Sequence, residues 1–316
     1  MRSHCFARTW RQMDTIAVCV CTFQREALLE ACLSSVAAMA LPASTAVHVV
    51  VIDNDAQATS RDFVESLRGR FPLPLHYECE PRRGIPCARN RAIEVAHALK
   101  ADYFVFIDDD ERVEPNWLVS LADYCREKGG QAVIHGAVEP MLPEGTPAHI
   151  QAVYQKKNRP TGARLSTCAT NNVMVPVRVT RELNLRFDER NPLAGGTDTI
   201  FFTQAVRQGI EIYECREALV RETIPASRAT LGWLSKRKYR AGITEAWRKR
   251  QGGRSGFSIV LSALLQCLVE GIKAGVTGLC GLKHLRNRFW LKACRSAGVM
   301  AGMLGAKVDS YRKIDS

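Results

Sequence analysis

The sequence predicts an α/β fold with a largely parallel central sheet, and three observations carry that prediction. Between residues 15 and 107, apolar runs of strand length alternate with segments of helix length. Three of these runs stop abruptly at polar clusters, Thr22–Arg25, Asp53–Asn54 and Asp108–Asp110. Open parallel sheets bind ligands beyond the carboxyl ends of their strands, so three polar clusters on one edge point to a binding site.

Thr15–Cys21 is the first apolar run. A helix is predicted from about Glu26 to Met39, where Leu28, Leu29, Cys32, Leu33 and Val36 recur at helical spacing, and Pro42 closes the segment. Val47–Ile52 reads as a second buried strand, Ser60–Leu67 as a helix and Leu75–Cys79 as a third strand. From Gly84 a loop leads into a helix that runs to about Leu99. Tyr103–Ile107 is the fourth strand and runs straight into Asp108-Asp109-Asp110-Glu111. Further on, Gly195-Gly196 makes a tight turn before a helix over Thr199–Gln208.

Neighbouring carboxylates repel one another, so four in a row at a strand end call for an explanation. On their own they fit a site for a hard divalent cation, or a solvated acidic turn with Asp as the N-cap before Pro115. No GxGxxG follows the first strand and no GxxxxGK[ST] occurs anywhere. A nucleotide bound here therefore needs its phosphates neutralised by a metal and by basic side chains. Asp108–Asp110 can hold the metal, and Arg25, Arg82, Arg83 and Arg89 can supply positive charge.

With 316 residues, 46% of them hydrophobic, the chain can build one large domain and an appendage. Charge divides it sharply. Residues 228–316 hold 18 Lys/Arg against 4 Asp/Glu, a net of +14, while the remainder is close to neutral. Such asymmetry suggests an anionic partner, lipid or nucleic acid. The 12 Cys show no CxxC pair, which fits reduced thiols in a cytoplasmic protein. Met1–Asp14 is basic without an apolar core, so no secretory signal is expected there.

Five motifs in order then resemble those of family 2 glycosyltransferases, of the type found in bacterial polysaccharide biosynthesis. They are Thr22-Phe23-Gln24-Arg25, Asp53-Asn54, the Gly-x-x-x-Ala-Arg-Asn loop of Gly84 to Asn90, the Asp-x-Asp of Asp108-Asp109-Asp110, and Gly195-Gly196-Thr197-Asp198 ahead of Phe201-Phe202. The resemblance spans about Thr15 to Ala226. It implies the GT-A fold, a mostly parallel central sheet flanked by helices, followed here by a helical C-terminal extension. The activity it implies is inverting transfer from a nucleotide-sugar donor, UDP-linked by preference, to a glycan or lipid-linked acceptor in cell-surface polysaccharide synthesis. Two departures stand out. Thr197 occupies the place of the Glu that often precedes the catalytic Asp. The Gln-x-x-Arg-Trp motif of processive synthases is missing, its nearest echo being Arg237-Lys238-Tyr239-Arg240. The absence of the processive motif favours addition of a single sugar.

By the same resemblance, Asp110 holds Mn²⁺ or Mg²⁺ with help from Asp108, and Asp108 also lies near the ribose and diphosphate. Asp109 is grouped with the nucleotide-binding residues, although it is expected to point away and cap the following turn. Thr22, Arg25, Asp53 and Asn54 complete that group, with Asp53 facing the base or ribose. Arg89 is assigned to the diphosphate; its alternative is a surface ion pair. Asp198 is the general base for the acceptor hydroxyl, with Asp188 as runner-up, and its alternative is a helix N-cap. Asn172 and Thr197 are candidates for the acceptor side, although Asn171-Asn172 can equally be a turn before a strand.

The expected domains are a tail at 1–14, a GT-A domain at 15–232 and a basic helical region at 233–316. In the last, Phe257–Leu282 carries only Glu270 and Lys273 as charges, and Ala297–Ala306 is apolar but too short to span a bilayer. Basic, aromatic-bearing helices beside apolar ones suggest peripheral attachment to an anionic membrane on the cytoplasmic face of the inner membrane. A soluble helical appendage, or short transmembrane segments, are the alternatives. Two other functions use some of the same features. A metal-dependent nucleotidyltransferase also uses strand-end acids, but normally carries a Gly- and Lys-rich loop after its first strand. A nucleic-acid-binding protein would suit the basic tail, but no zinc finger, RNP1-type motif or KH loop is present, so no nucleic-acid partner is expected.

Overall fold

The computed structural model describes residues 14–155, 159–190, 195–251, 253 and 255–306. Apart from Asp14, the expected tail 1–14 lies outside them, as do Gly252 and Arg254 of the segment between the basic and apolar helices. The described residues divide into two compact units. One comprises 14–139, 159–190 and 197–222, and the other 140–155, 195–196 and 223–306. The expected division at 232/233 lies inside the second unit.

The chain opens with β1 (Asp14–Thr22), α1 (Glu26–Ala37), β2 (Thr45–Asp53), α2 (Arg61–Arg68), β3 (Leu75–Cys79), α3 (Ile85–Ala98) and β4 (Tyr103–Asp108). β1 pairs in parallel with β2 and β4, and β2 with β3. These strands are apolar almost throughout because helices cover both faces of the sheet. Alternate β1 residues serve two cores. Ile16, Val18 and Val20 join Leu29, Leu33, Val64 and Trp117 on one face. Ala17 and Cys19 join Ala92, Ile93, Phe201 and Phe202 on the other. The α1 residues that recur at helical spacing do turn inward, with Leu29, Cys32, Leu33 and Val36 buried.

The rest of the sheet corrects the expectation of a mostly parallel arrangement. After β5 (Glu111–Val113) and α4 (Trp117–Glu127) come β6 (Val133–Met141), α5 (Ala148–Tyr154), β7 (Val173–Pro176), α6 (Arg178–Arg181), α7 (Thr197–Arg207) and β8 (Ile212–Thr223). The strand order is β3-β2-β1-β4-β7-β6-β8-β5. β7 runs antiparallel to both β4 and β6, and β5 antiparallel to β8. The sheet is therefore mixed, with its parallel half carrying the polar clusters. β7 is only four residues long and β8 is interrupted by charges, so neither shows the long apolar run that marks β1, β2 and β4.

The second unit is helical, with α5 joined by α8 (Leu231–Gln251), α9 (Gly256–Leu279) and α10 (Lys283–Met303). Ile150, Leu234 and Leu291 form one small core there, and Ala246, Ile259, Ala263 and Val299 another. The eleven described cysteines are all free thiols, as expected of a reduced chain.

Candidate active site

Strand register sets the site. Thr22 is the partner of Asp53 across β1 and β2, and Cys21 is the partner of Asp108 across β1 and β4. Thr22, Asp53 and Asp108 thus stand in a row at the carboxyl edge of the parallel strands, where such sheets bind ligands.

The acids after β4 take different environments. Asp109 is buried; its carboxylate accepts from the Thr22 hydroxyl at 2.8 Å and from Arg25 at 3.2 Å. It therefore turns inward to the end of β1 and does not cap the following turn. Burial still lifts its pKa to about 6, with Asp110 adding repulsion and Arg25 and Thr22 opposing. Asp110 is also buried and lies 3.6 Å from Arg25. Asp108 is the accessible member, with its side chain 47% exposed and the Arg89 guanidinium 3.9 Å away. It is open to water but ringed by protein, and desolvation raises its pKa to about 7. Arg89 opposes that rise, while Asp110, Asp109 and Glu222 add to it.

Glu111 was no site candidate, yet it organises the turn. It is fully buried and accepts from the Asp108 backbone N–H at 2.9 Å and from the Asn171 amide at 3.2 Å. Burial and the charge of Asp108 push its carboxyl well above the usual range. Three of the four carboxyls in this turn, Asp108, Asp109 and Asp110, thus lie 3.2–3.9 Å from Arg25 or Arg89. Among the described residues no three His, Cys, Asp or Glu side chains gather as a metal cage.

On β2, Asp53 is completely buried. One carboxylate oxygen accepts from the Ser60 N–H at 2.9 Å and the Tyr77 hydroxyl at 3.0 Å, and the other has no hydrogen-bond partner. Burial raises its pKa despite those bonds. Asn54 is engaged on both sides. Its amide nitrogen donates to the Glu80 and Arg82 carbonyls, each at 2.9 Å, and its oxygen accepts from the Gly84 N–H at 2.8 Å. Asn54 thereby holds the loop that starts α3. Of the other expected cations, Arg82 forks onto Glu80 and bridges to Glu189, and Arg83 stacks on Phe23 at 4.8 Å.

Asp198 sits half-buried in the first turn of α7, beside the buried Thr197. Phe201, one turn later, stacks on Phe187 at 4.4 Å, and Phe187 lies under the Arg89 guanidinium at 5.6 Å. Asn90 clamps that loop, donating to the Phe187 carbonyl and to Glu189 and accepting from the Phe187 N–H. The start of α7 is tied in this way to the Arg89 end of α3. Asp188, the runner-up base, is forked by Arg190 at 2.6–3.0 Å, which holds its pKa below the usual value.

Asn172 lies where its amide cannot meet an acceptor. It is wholly buried in a left-handed conformation (φ 62°), accepts from the Trp117 indole at 2.7 Å, and donates to the Ala137 and Ala218 carbonyls at 2.7 Å. A Cβ at Gly136 would collide with that amide. Nothing in the local sequence signals the role, because the partners come from three distant segments.

Comparison with known proteins bears on this site. A family model described as Glycosyl transferase family 2 matches residues 17–181. The succinoglycan biosynthesis protein ExoM of Rhizobium meliloti (strain 1021) is 34% identical over 303 residues, covering 94% of this chain and 95% of its own. Among solved structures, residues 1–349 of S. aureus TarS in complex with UDP superpose with a TM-score of 0.53 at 15% identity, over 95% of this chain and 94% of that one. The UDP-GlcNAc complex gives 0.53 at 16%, over 91% and 90%. Against the longer TarS structure, TM-score 0.52 at 17% identity, the match covers 72% of this chain but only 39% of that one. At such identities the TarS likeness speaks to the fold.

Proposed function

Because the chain belongs to glycosyl transferase family 2, we propose that it transfers one sugar, with inversion, from a UDP-linked donor to a glycan or lipid-linked acceptor in cell-surface polysaccharide synthesis. The name of the ExoM relative and the UDP-containing TarS complexes agree with such a product and donor. The observation that carries the reading is the edge row Thr22–Asp53–Asp108, where acids outnumber the arginines that face them.

The residues present suit a divalent cation. Asp108 is accessible and held at a raised pKa, so a positive charge beside it is favoured. Asp108 and Asp110 are the two carboxylates that would hold it, enough for an ion whose other ligands are phosphate and water oxygens. Bound there, Mn²⁺ or Mg²⁺ supplies Lewis-acid charge that stabilises the departing diphosphate.

The chain's own groups do the rest. Arg89, fixed over Phe187, offers a planar fork to diphosphate oxygens. Asp53, fixed by the Ser60 N–H and the Tyr77 hydroxyl, marks the nucleoside end of this row. Thr22 and Arg25 act through Asp109, which they hold inward so that the turn presents Asp108. Asp198 takes the proton of the acceptor hydroxyl as its oxygen attacks the sugar carbon, while the bond to the diphosphate breaks with its electron pair. The protein works peripherally at the cytoplasmic face of the inner membrane.

The test is a panel of nucleotide sugars with the purified protein and Mn²⁺ or Mg²⁺, followed by release of free nucleotide diphosphate. Slow hydrolysis of one donor supports the reading. Hydrolysis of none, with no binding of any, counts against it.

A further inference from the structure

α9 is apolar on two opposite faces, and only one of them is covered. Ile259, Ala263 and Ala274 are buried on the covered side, together with Glu270. On the other side Phe257, Leu261, Leu264, Leu265, Leu268 and Ile272 are exposed, and Val269, Val276 and Leu279 extend the row to the end of the helix. Phe257 is 78% exposed, Ile272 67% and Leu279 92%. At 100° per residue these side chains fall on one arc about 140° wide, opposite the covered face. A helix of a water-soluble bundle carries polar groups on that arc. An exposed apolar face of this length marks a docking surface.

Charge identifies the occupant. Lys273 and Lys292 both approach Glu270, at 3.8 and 3.7 Å, so two half-exposed ammonium groups stand at the seam between α9 and α10. Lys283 and Arg288 are exposed along α10, as is Arg295, which pairs with Glu245 of α8 at 2.6 Å. Trp290 is exposed there too, its indole N–H bonded to Ser235 at 2.9 Å. An apolar helix face flanked by Lys273, with the basic, tryptophan-bearing α10 packed behind it, is the chemistry of an anionic bilayer interface.

The packing also decides orientation. α9 is long and apolar enough to cross a membrane. Its covered face, however, is shared with α10, which carries Lys283, Arg286, Arg288, Lys292 and Arg295 within 13 residues of its start. Insertion across the bilayer would draw those charges into hydrocarbon, which is costly. The basic flank stays wet only if the helix lies flat.

We propose that α9 is an in-plane anchor: its Phe257–Leu279 face lies flat in the headgroup region of an anionic membrane, with the α10 basic side chains on the phosphates. The proposal rests on the peripheral reading above and adds how attachment is made. It would hold the protein beside a lipid-linked acceptor.

Full-length protein is tested by co-sedimentation with phosphatidylcholine vesicles, with and without about 30% phosphatidylglycerol. Leu268→Glu/Ile272→Glu and Lys273→Glu/Lys292→Glu are run beside it, with circular dichroism and donor hydrolysis by the free protein as controls. Wild type is expected on anionic vesicles, with release by an alkaline carbonate wash. The Leu268→Glu/Ile272→Glu variant should lose at least about tenfold in binding, with fold and hydrolysis unchanged. The lysine variant should lose the preference for anionic lipid. Binding unaffected by the Leu268→Glu/Ile272→Glu pair, or resistance to the alkaline wash, overturns the in-plane anchor while leaving membrane attachment standing. No vesicle binding by wild type, or a wild-type dimer that the Leu268→Glu/Ile272→Glu pair dissolves, overturns attachment itself. Hydrolysis by the free protein reports on the transfer reading separately.

Discussion

The Thr22 hydroxyl donates to the Asp109 carboxylate at 2.8 Å, joining residues 87 positions apart. This bond, with Arg25 at 3.2 Å, turns the middle acid of the run inward and leaves Asp108 as the accessible one. Thr22→Val keeps the shape and removes the donor. Loss of a buried hydrogen bond to a charged group costs about 1.5–3 kcal/mol. Chemical denaturation of Thr22→Val should show a loss of that size, and an unchanged midpoint would mean Asp109 does not depend on Thr22.

Acid sensitivity should come in part from the loops beside β2. Asp55 is buried, but donors from Gln24, Gln57 and Thr59 and the charge of Arg83 outweigh burial and lower its pKa. Glu80 is likewise lowered, its burial outweighed by Arg82. A carboxyl with a depressed folded pKa adds stability above its unfolded value, near pH 4, and loses it as pH falls through the folded value. Asp55→Asn and Glu80→Gln should therefore reduce stability at pH 6 and flatten its decline between pH 4 and pH 2. Thermal melts across that range check the point, and parallel curves for wild type and variants would refute it.

Asn172 should behave as a strut. Asn172→Ala leaves the Trp117 indole N–H and the Ala137 and Ala218 carbonyls without their partner. The expected loss is about 2–4 kcal/mol. Gly136→Ala strikes the same amide and should also destabilise, by about 1–3 kcal/mol. The Cβ would meet the Ala218 carbonyl as well, but both variants share the Asn172 amide, so the double variant should lose less than the two losses added together. Strict additivity in a double-mutant cycle would show that the contact does not couple them.

Asp198→Asn keeps the size of the side chain and removes its basicity. Donor affinity should be unchanged, and transfer to the acceptor should fall by about 10²–10⁴-fold. Normal transfer by the variant would exclude Asp198 as the base.

The parallel half of the sheet was legible because β1, β2 and β4 are apolar runs long enough to be covered on both faces. Their polar ends marked the binding edge for the same reason. The antiparallel half was not legible, since β7 gains its place by pairing with β4 and β6 and not through its own four residues. Within the site, residue types pointed to the acids but not to their division of labour. Asp109 and Glu111 turn inward through Thr22, Arg25 and Asn171, which lie 60 or more positions away. Asn54 read as a nucleotide-binding residue and Asn172 as an acceptor-side or turn residue, and both amides are taken by carbonyls and N–H groups that only the folded chain brings near.

Calorimetric titration with the nucleotide sugar selected by the donor panel tests the central claim most directly, for wild type and Asp110→Ala, in Mn²⁺ and in chelator. Wild type in Mn²⁺ should bind, and binding should weaken at least about tenfold on chelation or with Asp110→Ala, since the diphosphate then faces uncompensated carboxylates. Equal affinity in all four conditions would contradict a cation-bridged donor site on this edge.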